Sequence, residues 1–314
     1  MKAARIHKFG PPEVISVEEI PQPTPGPGEL LIRVMAAGVG PWDALIREHK
    51  SEVLSPLPFV LGSDLSGIVE KVGPGVSEFH VGDEIYGVTN PQFIGAYAEF
   101  AIALATMVAR KPKGLSHLAA ASVPVVAVTA WQMLFDYAMA RPGQTVLVHG
   151  AAGNVGAYAV QLAYNAGLHV IAIASSNDTT YVKGLGAEKV LDYRTSSFEN
   201  EISSMDIVID TVGGETRTRS IKVVKPGGSL ISVVSPFSKD QTIPNIRTAF
   251  FIVEVTTTRL NALTDLFERR KLSTQVGSVL TLDKVRTAHE MLAGAPHERG
   301  KILLNINASA PAGS

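Results

Sequence analysis

The sequence predicts an α/β protein of two domains, a doubly wound parallel sheet joined to a β-rich, partly closed barrel. Three observations predict it. The chain is 314 residues long, beyond the roughly 100–200 residues of one ordinary domain. Short β-branched runs alternate with helical patterns from about residue 145 onward, the pattern of a parallel sheet covered on both faces. The first ~120 residues instead read as strands cut by proline and glycine.

Strand patterns occur at Ala3–His7, Leu30–Val34 and Gly67–Val72. The stretch Pro21-Gln22-Pro23-Thr24-Pro25-Gly26-Pro27-Gly28 cannot hold a ladder, because proline lacks the amide donor, so it reads as a surface connection. Gly73-Pro74-Gly75 and Val81-Gly82-Asp83-Glu84 are further turns. Leu118–Ala121 and Val128–Ala140 read as helices around Pro124, the second ended by Pro142-Gly143. Strand candidates then follow at Thr145–Gly150, His169–Ala174, Lys189–Leu191, Asp206–Asp210, Ser229–Val234 and Phe250–Val255, with helices at Val155–Ala166 and Thr179–Leu185. Arg259–Arg270 and Leu282–Leu292 read as amphipathic helices, Lys301–Ile306 as a last strand returning to the first domain, and Asn307–Ser314 as a frayed tail. The expected division is 1–122 with 258–314, and 123–257.

Composition narrows the function. A formal net charge of −1 gives no electrostatic reason to expect nucleic acid or an anionic membrane as partner. Residues 1–8 do not resemble a secretory signal, and no segment offers ~18 unbroken apolar residues; a cytoplasmic location is expected. With no cysteine, disulfides, thiolate nucleophiles and cysteine-ligated metal sites are excluded. The eight histidines show no metal-ligand spacing. His289-Glu290 reads as a helix-surface pair rather than a proton relay.

The sharpest motif is Gly150-Ala151-Ala152-Gly153-Asn154-Val155-Gly156, between a buried strand and an apolar helix. Glycines permit the tight turn, and small residues let the backbone approach a pyrophosphate. The helix that follows offers its unpaired amides and positive dipole end. Cofactor choice is read from the end of the next strand, where NAD sites place an acid against the ribose hydroxyl. Here it runs Ala174-Ser175-Ser176-Asn177, so Ser175 and Ser176, joined by Tyr193 and Arg194 from the third strand, are candidates to hold a 2′-phosphate. NADPH is the expected cofactor. Thr211 to Gly214 and Val233 to Ser235 fall at carboxyl ends of later strands and are further cofactor candidates.

The ordered set Lys2-Ala3, Phe9-Gly10, Gly62-Ser63-Asp64-Leu65-Ser66-Gly67, Gly82-Asp83-Glu84, Thr129-Ala130-Trp131 and the glycine turn resembles the zinc-independent quinone oxidoreductase branch (zeta-crystallin-like) of the medium-chain dehydrogenase/reductase superfamily. Asp192-Tyr193-Arg194, Lys225-Pro226-Gly227-Gly228, Ala288-His289-Glu290 and Gly300-Lys301-Ile302 continue it, from residue 1 to 306. The resemblance implies a Rossmann nucleotide domain inserted in a GroES-like catalytic domain. It also implies that catalytic-zinc positions correspond to Gly40, Ser63 and Val125, none of which can ligate zinc through its side chain. Metal-free hydride addition suits a quinone or enone, whose acceptor carbon is already polarised, better than an unactivated alcohol.

By the same resemblance, nicotinamide and substrate are expected to meet between Gly40–Asp43 and the helix containing Thr129. Thr129 is the candidate for nicotinamide contact, with a backbone bond within its own helix as the competing role. Many relatives place asparagine where this chain has Gly40, so the amide donor is missing. Pro41, Trp42 and Asp64 are candidate substrate-side residues, and Asp43, Thr129 and Tyr97 are the catalytic candidates. For Trp42 the competing role is packing, and for Asp43 and Asp64 it is capping. The apolar Phe250–Val255 edge predicts a homodimer. The leading expectation is NADPH-dependent reduction of a quinone or enone. A reductase for a dedicated enoyl thioester and a non-catalytic NADPH-binding protein remain open beside it.

Overall fold

The computed structural model describes residues 1–51, 56–238 and 244–307, and divides them into two compact units. The first holds Met1–Val125 with the chain from Val255 onward, and the second holds Val126–Glu254. The crossings lie three residues later and three earlier than the expected 122 and 258. Residue 307 apart, the expected tail at 307–314 lies outside the described residues.

The second unit is a six-stranded sheet in the order Lys189–Asp192, His169–Ala174, Thr145–His149, Met205–Asp210, Val224–Ser232, Arg247–Phe250, all parallel. The order runs outward one way from the first strand, then the other way, so the switch point lies between Thr145–His149 and Met205–Asp210. In such sheets ligands bind beyond the carboxyl ends at that point. One apolar side chain from each of five adjacent strands (Leu191, Ile173, Leu147, Val208, Leu230) meets in a single core cluster with Phe198 and Val223. Each such burial contributes roughly 1.5–3 kcal/mol, which fixes the register of the strand ends that follow.

The edge of this sheet differs from expectation. The strand is Arg247–Phe250, and the run 251–255 has no ladder. Its alternation of apolar residues reads as strand, but other partners take it. Phe251 stacks on Tyr137 at 4.2 Å between centroids, and the Glu254 amide donates to Gln132 Oε1 at 2.9 Å. The expected helix Val128–Ala140 is also rebuilt. It starts at Pro124, whose missing amide costs nothing in a first turn, runs to Trp131, and continues as a π-helical turn over Gln132–Tyr137.

The first unit has a seven-stranded sheet and a small antiparallel sheet of Ile15–Glu19, Lys2–Ile6 and Phe59–Val60. In the larger one Glu29–Val39 is the hub. It pairs antiparallel with Asp64–Val72, Phe100–Leu104 and the final strand Lys301–Asn305. The strands Ile15–Glu19, Glu84–Val88, Val108–Arg110 and Val276–Thr281 are not among the strand patterns read from sequence; each is six residues or shorter. The helix Thr257–Glu268 begins where Thr256 Oγ accepts the Arg259 amide, which is the local reason it starts there.

Candidate active site

The strand Thr145–His149 ends directly in the glycine turn. Gly150 has φ +63°, a conformation glycine adopts without penalty. The Gly153 amide donates to Gly150 O at 2.9 Å, and Ala151 N donates to Ile173 O of the neighbouring strand at 3.1 Å. Gly153 is the N-cap of the helix Asn154–Asn165, whose first amides have no partner in a preceding turn. A Cβ at Gly156 would lie 2.1 Å from Gly150 O, so only glycine lets the helix sit this close to the turn. Gly153 and Asn154 are exposed, Ala152 and Val155 half-buried, and Ala151 and Gly156 buried. The result is an open turn of small residues ahead of a helix dipole, fitted to a diphosphate.

Ser175, Ser176, Tyr193 and Arg194 come together at the ends of the two adjacent strands. Asp192, not singled out from the sequence, organises them. Its Oδ2 accepts the Ser176 amide at 3.1 Å and its Oδ1 accepts the Arg194 amide at 2.9 Å. The amide bond from Arg194 leads the contacts that hold this carboxyl below its usual range. Tyr193 is exposed, and the Arg194 guanidinium lies over its ring at 5.4 Å. Ser176 is exposed while Ser175 is buried. A cation and hydroxyls suited to phosphate thus stand beside a flat aromatic ring.

Across the switch point Asp210 joins the ends of two strands, its own and Val224–Ser232. Its Oδ1 accepts the amides of Val212 and Gly213 at 3.0 and 2.8 Å, and its Oδ2 accepts the Ser232 hydroxyl at 2.7 Å. Thr211 Oγ1 donates to His149 O at 2.8 Å. On the far side Arg217, buried, donates to Ser235 O at 2.6 Å and covers the Phe237 ring at 4.7 Å. Val212 and Gly213 are therefore held by the buried Asp210 carboxylate, and Ser235 by the buried Arg217 guanidinium. Thr129 is buried in the helix Pro124–Trp131.

In the first unit the candidates Pro41, Trp42, Asp43, Asp64 and Tyr97 fall into one cluster. Asp43 Oδ2 accepts the Gly40 amide and the Tyr97 hydroxyl, both at 2.8 Å. Burial outweighs these bonds and pushes its carboxyl up to about 7. Burial, with the Asp43 carboxyl beside it, drives the Tyr97 phenol well above its ordinary range. Asp64 Oδ1 accepts the Val125 amide at 3.0 Å, and Oδ2 pairs with Lys301 Nζ at 3.0 Å; burial nevertheless raises its carboxyl. Both aspartates act as caps, and Asp43, Asp64 and Tyr97 show no exposed surface. Pro41 is exposed. Trp42 is half-buried and donates from Nε1 to Ser63 Oγ at 3.2 Å, with Lys301 Nζ 3.9 Å from its ring centroid.

Residues 26–113 match the family model of the alcohol dehydrogenase GroES-like domain, and residues 185–304 match a zinc-binding dehydrogenase model. The Quinone oxidoreductase of Mus musculus is 30% identical over 97% of this chain and 97% of its own length. The chain belongs to the medium-chain dehydrogenase/reductase superfamily. Another relative, the mitochondrial NAD(P)H oxidoreductase RTN4IP1 of Mus musculus, is 34% identical over 67% of the chain, a match that spans 59% of that protein. Among solved structures, mycobacterial Rv1454c complexed with NADPH is 29% identical, with a TM-score of 0.87 over 98% of this chain and all of its own.

Members of this superfamily include metal-binding dehydrogenases, and the donor set here does not fit one. Among the described residues no three His, Cys, Asp or Glu side chains gather closely enough to hold a metal ion. At Gly40, Ser63 and Val125 the side chains are absent, a hydroxyl or aliphatic. Nearby, Asp64, the carboxylate in this region paired with a cation, is already engaged by Lys301. Lys301, Asp210, Asp192 and Arg217 are the site residues that sequence reading missed. Asp192 and Asp210 were visible as acids closing parallel strands. Nothing local marks Lys301 or Arg217, because their roles depend on partners distant in sequence or on the loop after a strand.

Proposed function

We propose that this protein is an NADPH-dependent, metal-free reductase that passes hydride to the polarised carbon of a quinone or α,β-unsaturated carbonyl. The observation that carries the reading is the glycine cradle at the switch point of the sheet, flanked by Ser175–Ser176 and Tyr193–Arg194. NADPH, when bound, supplies the hydride. In this reading the turn 150–156 holds the diphosphate against backbone amides. Arg194, Ser176 and Ser175 receive the 2′-phosphate, and Tyr193 packs on the adenine face. Thr129, Thr211, Val233 and Ser235 line the nicotinamide end, placed by Asp210 and Arg217. The acceptor would take hydride at carbon and a proton from water at oxygen, and tautomerisation through water would then give the hydroquinone or saturated carbonyl, with NADP⁺ as the other product. Asp43 and Tyr97 are assigned no proton-transfer role, because each is buried and bonded to the other.

The relatives' quinone oxidoreductase activity and the NADPH complex of Rv1454c support this reading. A homodimer remains part of the proposal, resting on the edge strand Arg247–Phe250, and a cytoplasmic location is proposed beside it. Sedimentation showing a monomer at micromolar concentration would remove that part. The functional test is oxidation of NADPH by the purified protein with a ring quinone and an open-chain enone, before and after dialysis against a chelator. Binding of NADPH, followed by its fluorescence, without turnover of any acceptor would favour a non-catalytic role. Activity lost to the chelator and restored by zinc would overturn the metal-free assignment.

A further inference from the structure

Dinucleotide sites that take NAD place an acid at the end of the second strand, where it accepts the ribose hydroxyl that carries a phosphate in NADP. His169–Ala174 is the strand in that place, and Ser175 and Ser176 follow it instead of an acid. The neighbouring strand supplies one. Lys189–Asp192 runs parallel to it, in a register that sets Asp192 beside Ala174. From there Asp192 Oδ2 accepts the Ser176 amide at 3.1 Å. The carboxylate therefore lies against the turn in which an NAD site carries its acid. All of these residues belong to the unit Val126–Glu254.

This carboxylate is more than a brace for the turn. The amide bond from Arg194, with the bonds from Ser176, holds it below its ordinary range, so it is charged at neutral pH. Its two oxygens each accept one amide, and a carboxylate has about four acceptor positions, so capacity remains for a hydroxyl. Nor is its charge cancelled by contact. Among the described residues no cation pairs with it, and the Arg194 guanidinium lies over the Tyr193 ring at 5.4 Å. A fixed negative charge thus stands one hydrogen bond from the backbone of both Ser176 and Arg194, the residues assigned to the 2′-phosphate. A hydroxyl donates to such an acceptor, whereas a dianionic phosphate is repelled by it. We propose that Asp192 is the cofactor-specificity residue of this chain. It accepts the 2′-hydroxyl of the NADH adenosine and opposes the 2′-phosphate of NADPH, so Arg194 favours NADPH only modestly and both reduced nicotinamides are bound. This inference rests on the reductase reading given above and widens its cofactor class.

The test is binding to the full chain, with no acceptor present. Titration with NADPH and with NADH, each followed by the fluorescence of its reduced ring, gives two dissociation constants. The wild-type protein is expected to hold NADPH no more than about tenfold tighter than NADH. Asp192→Asn keeps the size of the side chain and one acceptor oxygen but loses the charge. It should tighten NADPH about fivefold and weaken NADH about threefold. The gain for NADPH should shrink toward unity in about 0.5 M KCl, where an exposed charge is screened. Asp192→Ser, whose hydroxyl can still accept the Arg194 amide, should move the ratio of the two constants in the same direction. A residue that only braced the turn would weaken both cofactors together at either salt concentration. That result, or a wild-type protein that binds NADPH and leaves NADH unbound, would overturn the proposal. If neither cofactor binds the wild-type protein, the reductase reading itself fails; if NADPH binds and Asp192→Asn leaves the ratio unmoved, this inference alone does.

Discussion

Replacing Asp43 by asparagine should change how stability depends on pH. In the folded chain burial pushes the Asp43 carboxyl up to about 7 from an ordinary 3.8. Between those values the folded state holds a proton that the unfolded state has released. Stability therefore falls as pH rises through that window, and the contribution is fully present only below the unfolded value. The whole interval of about three pH units corresponds to about 4 kcal/mol. Between pH 5 and pH 7.5 the same linkage predicts a loss of roughly 2.5 kcal/mol. Asparagine keeps an oxygen for the Gly40 amide and the Tyr97 hydroxyl but does not titrate, so this component should vanish in Asp43→Asn. The assay is urea unfolding of both proteins at the two pH values, with the difference of differences as the result. Titrating groups that do not interact with Asp43 cancel in it. A wild-type protein that loses no more stability than the variant between pH 5 and 7.5 would refute the reasoning, and would mean that hydrogen bonding outweighs burial at this carboxyl.

Gly156→Ala places a Cβ 2.1 Å from Gly150 O, so the helix must retreat from the turn; kcat/KM for NADPH should drop about a hundredfold, measured by initial rates. Asp210→Asn puts an amide donor among groups that all donate to Asp210. KM for NADPH should rise by about tenfold, and an unchanged KM would remove Asp210 from the placement of the nicotinamide end. Arg194→Glu should lower the NADPH-to-NADH preference by at least about tenfold, read as a ratio of kcat/KM values. Lys301→Met strips the cation from the buried Asp64 carboxylate and should cost about 3–5 kcal/mol in chemical denaturation; adding Asp64→Asn to it should restore part of that.

Much of the architecture could be read in advance because it rests on local signals. The β-branched run Thr145–His149, the glycines after it and the apolar helix beyond mark themselves, and Asp206–Asp210 follows the same logic. The edge strand was misplaced because the apolar alternation at 250–255 looks alike whether a ladder or the Tyr137 ring buries it. The glycine turn was legible for a related reason: close approach of backbone to backbone shows up as glycine, as at Gly156. The acceptor side was less so. Asp43 and Asp64 could be placed as caps from their positions, but Lys301 pairs with Asp64 at a sequence separation of 237, and no spacing rule announces such a contact.

The last strand has a consequence for biosynthesis. Residues 301–305 lie in the interior of the seven-stranded sheet, between Glu29–Val39 and Val276–Thr281, while the nucleotide unit is a continuous run, Val126–Glu254. On the ribosome the later-synthesised run can fold as soon as it emerges, whereas the earlier one must wait until residues 301–305 have emerged to receive its missing strand. A nascent chain arrested near residue 290 should resist protease over 126–254 and remain open to it in the first hundred residues.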